Sequence, residues 1–556
     1  MHKDEIYERI RSFFPLEGNK NLVHLLEQSL TRVDEMKGKE DAARIPSSGK
    51  QSDFQELVRK YSVLSSFGRP SEEVLDRIVG DLFGGVPRWN SPNLQYNVGT
   101  GVNSVALAVY ALAMSENIYA INDGLAGNSL VAEDAVSNLL GQLAGTGTQP
   151  RGVFTFGGTS TNLYAKKIGL KKAAPQSSRQ GIPHGARVVF TRDCHFSHEV
   201  SADWLGIGND NAIIIEPGCD RRSDLLDAEE KMRQALSRGD LITSIALNGG
   251  TTYNHIVDDI GAFVELRDRL VQDYSLKYTP HLHVDSVIGW CWLVFRDYDF
   301  EANTLGVNGD ALELIRKQFL RVSQIGMADS WSVDFHKGVG ACPVDCSVFM
   351  LNDGRDIRYI SKKGDIPTHH VAPEFSFSQP VDYTLETTRP IGPALAALAT
   401  FQTLGLDGYR RNLANLVENT IVMRDLLRPE RDFQICFEDA SIGFVTMLRL
   451  YPPDMVCDGR RDTELYSNSL DTVVFSKDVN AYMKSFFSWD RDKRMRLGVG
   501  VEYSFSSDFI TLSNGAGIAG VKLYPVSPHF NSEYATVAVK TILEQKRLFD
   551  QTVWKK

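Results

Sequence analysis

The sequence predicts an α/β protein whose main domain is built on a mainly parallel sheet with helices on both faces. Between residues 96 and 390, short apolar runs alternate with helical patterns at the spacing of strand–helix–strand units. Residues 1–95 show only amphipathic helical patterns and polar breaks, and residues 391–556 begin with helices and then mix strands with helices. We therefore expect an N-terminal helical segment, a large α/β domain and a smaller C-terminal α+β domain.

Composition and charge exclude several classes of function. The 42% hydrophobic and 23% charged residues are typical of a globular chain. A net charge of −10 argues against a nucleic-acid partner, which would need a concentrated basic patch. The apolar run SVALAVYALAM is too short to cross a bilayer, so no membrane partner is expected. The charged start and seven scattered cysteines, without zinc-site spacing, predict a soluble, cytoplasmic, reduced protein without a metal.

The N-terminal helical patterns come first along the chain. NLVHLLEQSLTRV, FQELVRKYSVL and SEEVLDRIVGDLFGG each have one apolar face. Together they hold too few apolar residues for a core of their own. We expect them to pack against another part of the protein, and the predicted boundary of this segment is residue 95.

The strands of the large domain follow as six apolar runs separated by helical patterns. In chain order these runs are GVFTF, ARVVFTR, NAIIIEP, ITSIALN, HLHVDSV and SWSVDF. In a parallel α/β sheet, ligands bind at the carboxyl ends of the strands, where loops and helix N-termini meet. The residues that follow each run are therefore the first candidates for a functional site.

Several of these strand ends carry residues that can bind a ligand or take part in catalysis. GGTSTN (157–162) opens a helix and can hold an anion, although a plain helix cap explains it equally well. His195 lies in DCHFSH, and GGTT (249–252) supplies small hydroxyl residues. Asp285 lies inside an apolar strand, and SVDFHKGVG (332–340) ends the last run with a His–Lys pair. A carboxylate or lysine in such a setting needs a partner or a chemical use.

Taken together, these residues match the requirements of one cofactor. An anion cradle, a buried carboxylate, a histidine that packs on a ring and a lysine that forms a Schiff base are what pyridoxal 5′-phosphate needs. A lone His–Lys pair is more often an exposed loop feature, so the prediction depends on the whole set. It assigns Lys337 as the residue that bonds to the cofactor.

The order of the motifs also matches a known family. GGTSTNLYA, DCHFS, GGTT…VDDI, HVD and ADSWSVDFHK occur in sequence, followed by DYTLETTRP. On these motifs, between about residues 91 and 430, the chain resembles the group II pyridoxal-phosphate decarboxylases of amino acids, which include glutamate and aromatic amino acid decarboxylases. The resemblance implies fold type I with a seven-stranded sheet. It also implies an intertwined homodimer with shared active sites.

The resemblance assigns a role to each matched position. It implies phosphate contacts at Gly158, Thr159 and His336, ring stacking at His195, a residue near the ring at Thr251, a pyridinium partner at Asp285 and the Schiff-base lysine at Lys337. The chain departs from the family pattern elsewhere. Ser286 and Val287 replace two alanines, Phe156 replaces a small hydroxyl residue, and His255 replaces a frequent glycine. His369 or His370 stands where the family often has a tyrosine that protonates the product carbanion.

The leading hypothesis is an L-amino acid α-decarboxylase that forms an amine and CO₂, with a loop histidine as proton donor. Two other reactions remain open: carbon–carbon (aldehyde) cleavage on the same fold, and decarboxylation coupled to oxidative deamination. A catalytically silent binding or assembly protein is a further alternative, which the complete set of site residues disfavours. The sequence does not identify the amino acid substrate.

Overall fold

The computed structural model of the chain describes residues 3–14, 18, 20–38, 41–46, 54–64, 66, 68–147, 149–362, 379–466, 469–497, 500–512 and 514–554. His369 and His370, the predicted proton donors, lie outside the described residues. Across these described ranges, no helix combines the length and apolar character needed to cross a membrane.

Sixteen α-helices and twelve strands are assigned within these ranges. The helices are α1 Lys3–Ser12, α2 Lys20–Met36, α3 Phe54–Tyr61, α4 Ser71–Leu82, α5 Ser104–Ser115, α6 Asp123–Ala126, α7 Val131–Ala144, α8 Gly158–Ala173, α9 Ser177–Gln180, α10 Ser197–Trp204, α11 Leu225–Ser237, α12 Ile260–Asp273, α13 Gly309–Val322, α14 Gly392–Leu427, α15 Leu470–Leu497 and α16 Ser532–Phe549. The strands are β1 Leu94–Gln95, β2 Arg151–Thr155, β3 Ala186–Thr191, β4 Ala212–Ile215, β5 Leu241–Asn248, β6 His281–Asp285, β7 Ser330–Asp334, β8 Ser347–Leu351, β9 Phe433–Ile435, β10 Thr446–Leu450, β11 Glu502–Thr511 and β12 Gly517–Leu523.

The large sheet has seven strands in the order β2-β8-β7-β6-β5-β3-β4. All six strands predicted for it are present, and β3 to β7 pair in parallel. The resemblance implied a seventh strand without locating it, and the structure shows it as β8, antiparallel to both of its neighbours. Helix α8 packs across β5 to β8, and β5 is buried along nearly its whole length, as expected for strands covered on both faces. The carboxyl ends of β5, β6 and β7 therefore meet at one edge of the sheet.

A second sheet, in the order β1-β11-β12-β10-β9, belongs to the C-terminal part of the chain. Helix α15 packs against this sheet, and α16 packs against α15 and α14. Its edge strand β1 comes from the N-terminal segment and pairs in parallel with β11. The first 95 residues are thus not purely helical, because their last two residues complete the C-terminal sheet. Helix α14 starts next to the predicted boundary at 390 and breaks at Gly405, whose φ of 59° is unsuited to a helix.

The N-terminal helices α2, α3 and α4 bury few side chains, and in α4 the buried residue is Val79. None of the residues of α2 or α3 is buried. On α2, Val23 is 63% exposed and Leu30 is 59% exposed. Helix α5 likewise exposes Leu107 and Leu112. Apolar side chains that remain open over several helices mark surfaces for a partner.

Candidate active site

The site is a cavity of about 230 Å³ at the carboxyl edge of the large sheet. Seven cofactor-binding positions predicted from the sequence line it: Gly158, Thr159, His195, Thr251, Asp285, His336 and Lys337. They come from the start of α8, from the end of β6 and from the loops after β3, β5 and β7. The topology brings them together because successive strands of a parallel sheet end on the same side.

The wall formed by the start of α8 requires a glycine. A Cβ added at Gly158 would lie 2.8 Å from Asp334 Oδ2 and 2.9 Å from Val287 Cγ1. The preceding residue, Gly157, has a φ of 105° and no side chain caps the helix. Ser160 N–H donates to Gly157 O at 3.1 Å, while the N–H groups of Gly158 and Thr159 ahead of it have no intrahelical acceptor, so this helix end favours an anion. Val287 crowds this wall, as expected from its replacement of an alanine.

Asp285 ends β6 and is 8% exposed. Its Oδ2 accepts hydrogen bonds from Asn162 Nδ2 at 2.9 Å and lies 3.2 Å from His198 Nε2, while Ser332 Oγ donates to Oδ1 at 3.2 Å. Burial alone would raise the pKa of Asp285. The hydrogen bonds from His198 and Asn162 outweigh burial and hold this pKa well below its usual range. Asp285 is therefore an oriented carboxylate that stays ionised.

Lys337 follows β7 and faces the same cavity. Its Nζ lies 2.8 Å from Oδ2 of Asp334, a carboxylate with no exposed surface. Ser347 Oγ donates to Asp334 Oδ1 at 2.6 Å, and His336 Nε2 lies 3.5 Å from Oδ2. The buried carboxylate thus has one cation and one imidazole beside it. Asp334 appeared in the sequence motif without a role, and its contacts now make it the partner of the lysine.

His195 lies at the mouth of the cavity. Its Nδ1 is 2.8 Å from Ser197 Oγ, which fixes one edge of the imidazole. The ring packs against Phe196, with 4.3 Å between ring centroids, and Phe196 itself is 66% exposed. An imidazole held at its edge leaves a ring face free to stack on a planar ligand.

The sequence reasoning missed several residues of the site. Asn248 ends β5 directly opposite Asp285 in the strand register, and it lines the cavity. Its Nδ2 is buried and has no hydrogen-bond partner among the described residues, which marks it as a donor for a ligand. Asn162 and His198 were also missed, although both contact Asp285. Their distance along the chain from predicted site residues could have identified them. Asn162 is four residues after Gly158, and His198 is three residues after His195.

His255, which departs from the family pattern, is not part of this cavity. It is 1% exposed and packs edge-on against Phe444, with its Nε2 at 2.6 Å from Tyr524 Oη. Its Nδ1 would lie 2.1 Å from a Cβ at Gly443, so that glycine leaves room for the ring. Burial lowers the pKa of His255 to about 3, which keeps the ring neutral. His255 thus joins the loop after β5 to residues next to β10 and β12 and has a structural role.

The donor set of the cavity fits pyridoxal 5′-phosphate. Asp285 provides an ionised carboxylate for a pyridinium nitrogen, and Lys337 provides an amine in the same cavity. The open first turn of α8 and the hydroxyl of Thr159 suit a phosphate group, and Asn248 has a spare donor.

Comparisons with known proteins agree with this assignment. The chain is 26% identical over 319 residues to L-2,4-diaminobutyrate decarboxylase of Rhizobium meliloti (strain 1021), a match that covers 56% of this chain and 57% of that protein. The chain thus spans little more than half the length of this curated relative. Among solved structures, apo mouse CSAD superposes with a TM-score of 0.75 at 17% identity, covering 95% of this chain and 99% of that one. Oryza sativa TDC with PLP and tryptamine gives a TM-score of 0.74 at 14% identity, covering 96% and 99%.

These structural matches confirm the predicted fold, since their sequence identities are too low to carry more than the architecture. A comparison with models of protein families provides evidence at the level of sequence. The model described as the pyridoxal-dependent decarboxylase conserved domain matches residues 66–448, which is well over half of the chain. The chain belongs to the family of pyridoxal-dependent decarboxylases.

Proposed function

We propose that this protein removes the α-carboxyl group of an L-amino acid, releasing CO₂ and an amine, with pyridoxal 5′-phosphate bonded to Lys337. One observation carries the proposal. The Lys337 amine, the ionised Asp285 carboxylate and the open N-terminus of α8 all line one cavity. These are the three points at which such a cofactor has to be held.

Different residues of the cavity would bind different parts of the cofactor. Gly158, Thr159 and His336 would bind the phosphate, His195 would cover one ring face, and Asp285 would hold the proton on the ring nitrogen. Thr251 and Asn248 would contribute hydrogen bonds at the ring edge. The bound cofactor supplies an electron sink for the charge that CO₂ leaves behind.

Lys337 must lose a proton from Nζ before it can form a covalent bond. Asp334 Oδ2, at 2.8 Å, is the base within reach. Ser347 fixes the other carboxylate oxygen, so Oδ2 stays directed at the lysine. His336 Nε2, at 3.5 Å, is the second side chain beside Asp334 Oδ2. We also propose that His369 or His370 delivers the proton to the product.

Lys522, on β12, is a buried lysine whose contact Asn97 lies close in sequence to the residue that pairs with Lys337. It is 6% exposed, and its Nζ donates to Asn97 Oδ1 at 2.8 Å. No carboxylate of the described chain lies within ion-pair distance of it, and burial lowers its pKa to about 8. Asn97 is two residues before Gly99, which forms a bridge with Lys337. We infer that Lys522 binds a substrate carboxylate. Replacing it with Met should raise KM at least tenfold, while Arg should keep KM near the parent value; an unchanged KM in the Met variant would rule this role out.

The proposal is tested by incubating the cofactor-loaded protein with each of the twenty amino acids and with L-2,4-diaminobutyrate. CO₂ release with an equal amount of amine is the expected result for at least one of them. Aldehyde without CO₂ would show carbon–carbon cleavage instead, and aldehyde with CO₂ and ammonia would show oxidative deamination. Binding of the cofactor without any turnover of the panel would contradict the proposal.

We further propose a homodimer with shared active sites, composed of the three predicted domains 1–95, 96–390 and 391–556. Its support is the open apolar surface on α2 and α5, where Leu112 is 65% exposed, together with Phe196 at the cavity mouth. Sedimentation equilibrium should give twice the chain mass. The double variant Leu107→Glu, Leu112→Glu should shift it to the monomer and lower activity, and a monomeric parent protein would contradict the proposal.

We propose the cytoplasm as its location. All seven cysteines are free thiols, and four of them are buried, as in a protein kept in a reducing compartment. Titration of the denatured protein, isolated under argon without reductant, should find seven thiols. Fewer than seven would indicate disulfide bonds and another compartment.

A further inference from the structure

Behind Asp285, on the side away from the cavity, lies a lysine that the reaction described above does not use. Lys166 is on α8, one helical turn after Asn162, and is only 2% exposed. Its Nζ lies 3.0 Å from His198 Nδ1 and 5.8 Å from the centre of the Phe190 ring. No carboxylate of the described residues is within ion-pair distance of it. A buried ammonium is costly unless a negative charge compensates it.

His198 connects this lysine to Asp285. It is 1% exposed, and its Nε2 lies 3.2 Å from Asp285 Oδ2. An ammonium can only donate, so Nδ1 of the imidazole must accept from Lys166 and the ring proton must sit on Nε2. His198 therefore donates to Asp285. The three side chains form one line of hydrogen bonds, Lys166 to His198 to Asp285, which we call the buried relay.

The charges in the relay are consistent with this direction of donation. Burial and the nearby ammonium lower the pKa of His198 to about 4, so the ring is neutral at pH 7. Burial lowers the pKa of Lys166 to about 8, which still leaves it mostly protonated at pH 7. The positive charge of Lys166 is thus compensated by the negative charge of Asp285, and one polarised imidazole lies between them.

We propose that Lys166, acting through His198, keeps Asp285 ionised and so keeps the proton on the ring nitrogen of the bound cofactor. The inference rests on the proposed function, because it requires that this nitrogen faces Asp285. Both residues are positioning residues, since neither lines the cavity. Without the ammonium, the imidazole is a weaker donor, and burial then favours a protonated Asp285, which takes its proton from the ring.

Other titratable groups also face Asp285 and have to be considered. They are His195 and Cys194 from the loop before α10, His283 on the same strand, and Asp334 and Lys337 after β7. His283 is held neutral by burial, and burial keeps Cys194 in its thiol form. Lys337 is paired with Asp334. Lys166 is therefore the cation whose charge reaches Asp285 through a direct hydrogen-bonded path.

The test reads the ring nitrogen itself. The protein is loaded with cofactor that carries ¹⁵N in the ring, and the ¹⁵N chemical shift is recorded at pH 7. Lys166→Met and His198→Phe break the relay, whereas Lys166→Arg keeps the charge and His198→Gln keeps an acceptor and a donor. Lys171→Met, on the same helix but outside the relay, is the matched control. Circular dichroism confirms folding, and the two residues give independent breaking variants if one of them does not fold.

We expect a protonated ring nitrogen in the parent, the control and the two conserving variants. The two breaking variants should show a largely unprotonated nitrogen, with turnover reduced about tenfold to a hundredfold, as is typical when a residue acts through the group that holds a ligand. A protonated nitrogen in folded Lys166→Met or His198→Phe would overturn the relay and leave the proposed function standing. An unprotonated nitrogen in the parent would contradict the role of Asp285 in the proposed function.

Discussion

Asp285 and Lys337 are 52 positions apart in the chain, yet Asp285 ends β6, Lys337 follows the neighbouring parallel strand β7, and both face one cavity. Each is held by its own partners: Asp285 by Asn162 and His198, and Lys337 by Asp334. One residue thus offers a fixed negative charge and the other an amine that can lose its proton. The predictions below test the consequences of this arrangement.

Asp285→Asn should keep the fold and bind the cofactor but lose turnover by about a hundredfold or more, as expected when a preorganised charge is removed from an active site. A neutral amide cannot hold a proton on a pyridine nitrogen. Visible absorbance measures the cofactor content, and CO₂ release measures turnover. Near-parent turnover would mean that another group faces the ring nitrogen.

Gly158→Ala should weaken cofactor binding by about tenfold or more, because the new Cβ would lie 2.8 Å from Asp334 Oδ2. A fluorescence titration with pyridoxal 5′-phosphate measures the dissociation constant. Gly309→Ala is the matched control, since Gly309 also begins a helix but has nothing within 4 Å of the added Cβ. Equal affinities of the two variants would show that the start of α8 does not contact the ligand.

The two loop histidines control the fate of the product if either is the proton donor. Replacing His369 or His370 with Phe should leave part of the CO₂ release intact while the yield of amine falls and aldehyde with ammonia appears. Chromatography of the products gives these ratios. If both single variants and the double variant form amine at the parent rate, the acid lies elsewhere.

His255 should make the protein sensitive to acid. Its pKa is about 3 in the folded protein and 6.5 in an unfolded chain, so below pH 6.5 only the unfolded chain takes up the proton. This lowered folded pKa means that stability is complete above pH 6.5 and falls as the pH drops toward 3, by about 1.4 kcal/mol per pH unit. Urea denaturation at pH 7, 6 and 5 measures the slope.

His255→Gln removes one group that takes up a proton on unfolding, so it should reduce the slope of stability against pH by about 1.4 kcal/mol per pH unit. The variant starts from a lower free energy of unfolding at pH 7. The slope will not vanish, because burial also lowers the pKa of His198, His281 and His283. An identical slope in parent and variant would show that His255 is already charged in the folded protein.

Much of the large domain could be predicted from the sequence, because its strands are continuous apolar runs and its site residues follow them directly. Strand β8 was not located because it follows β7 without an intervening helix and pairs antiparallel, so SVFML has no helix–strand alternation around it. Strand β1 was missed because its partner β11 is about 400 residues away, and such pairing leaves no local pattern.

The residues of the site, like the strands, could be predicted only in part. Lys337, Asp285 and His195 could be found because each stands at a strand end within a motif. Lys166 and His198 could not, since a lysine in a helical pattern is expected on the surface. Only the packing of α8 against α10 reveals that both are buried behind Asp285. His255 is the opposite case. It was singled out because it follows the GGTT motif and departs from the family pattern, but the structure places it in the core and outside the cavity.

The central claim is that Lys337 carries the cofactor, and borohydride reduction followed by peptide mapping tests it most directly. Reduction fixes pyridoxal 5′-phosphate to the lysine that holds it, and mass spectrometry of the digested protein locates the modified residue. We expect the label on Lys337, and no stable label in Lys337→Ala. A label on Lys166, on Lys522 or on any other lysine of the parent protein would contradict the assignment.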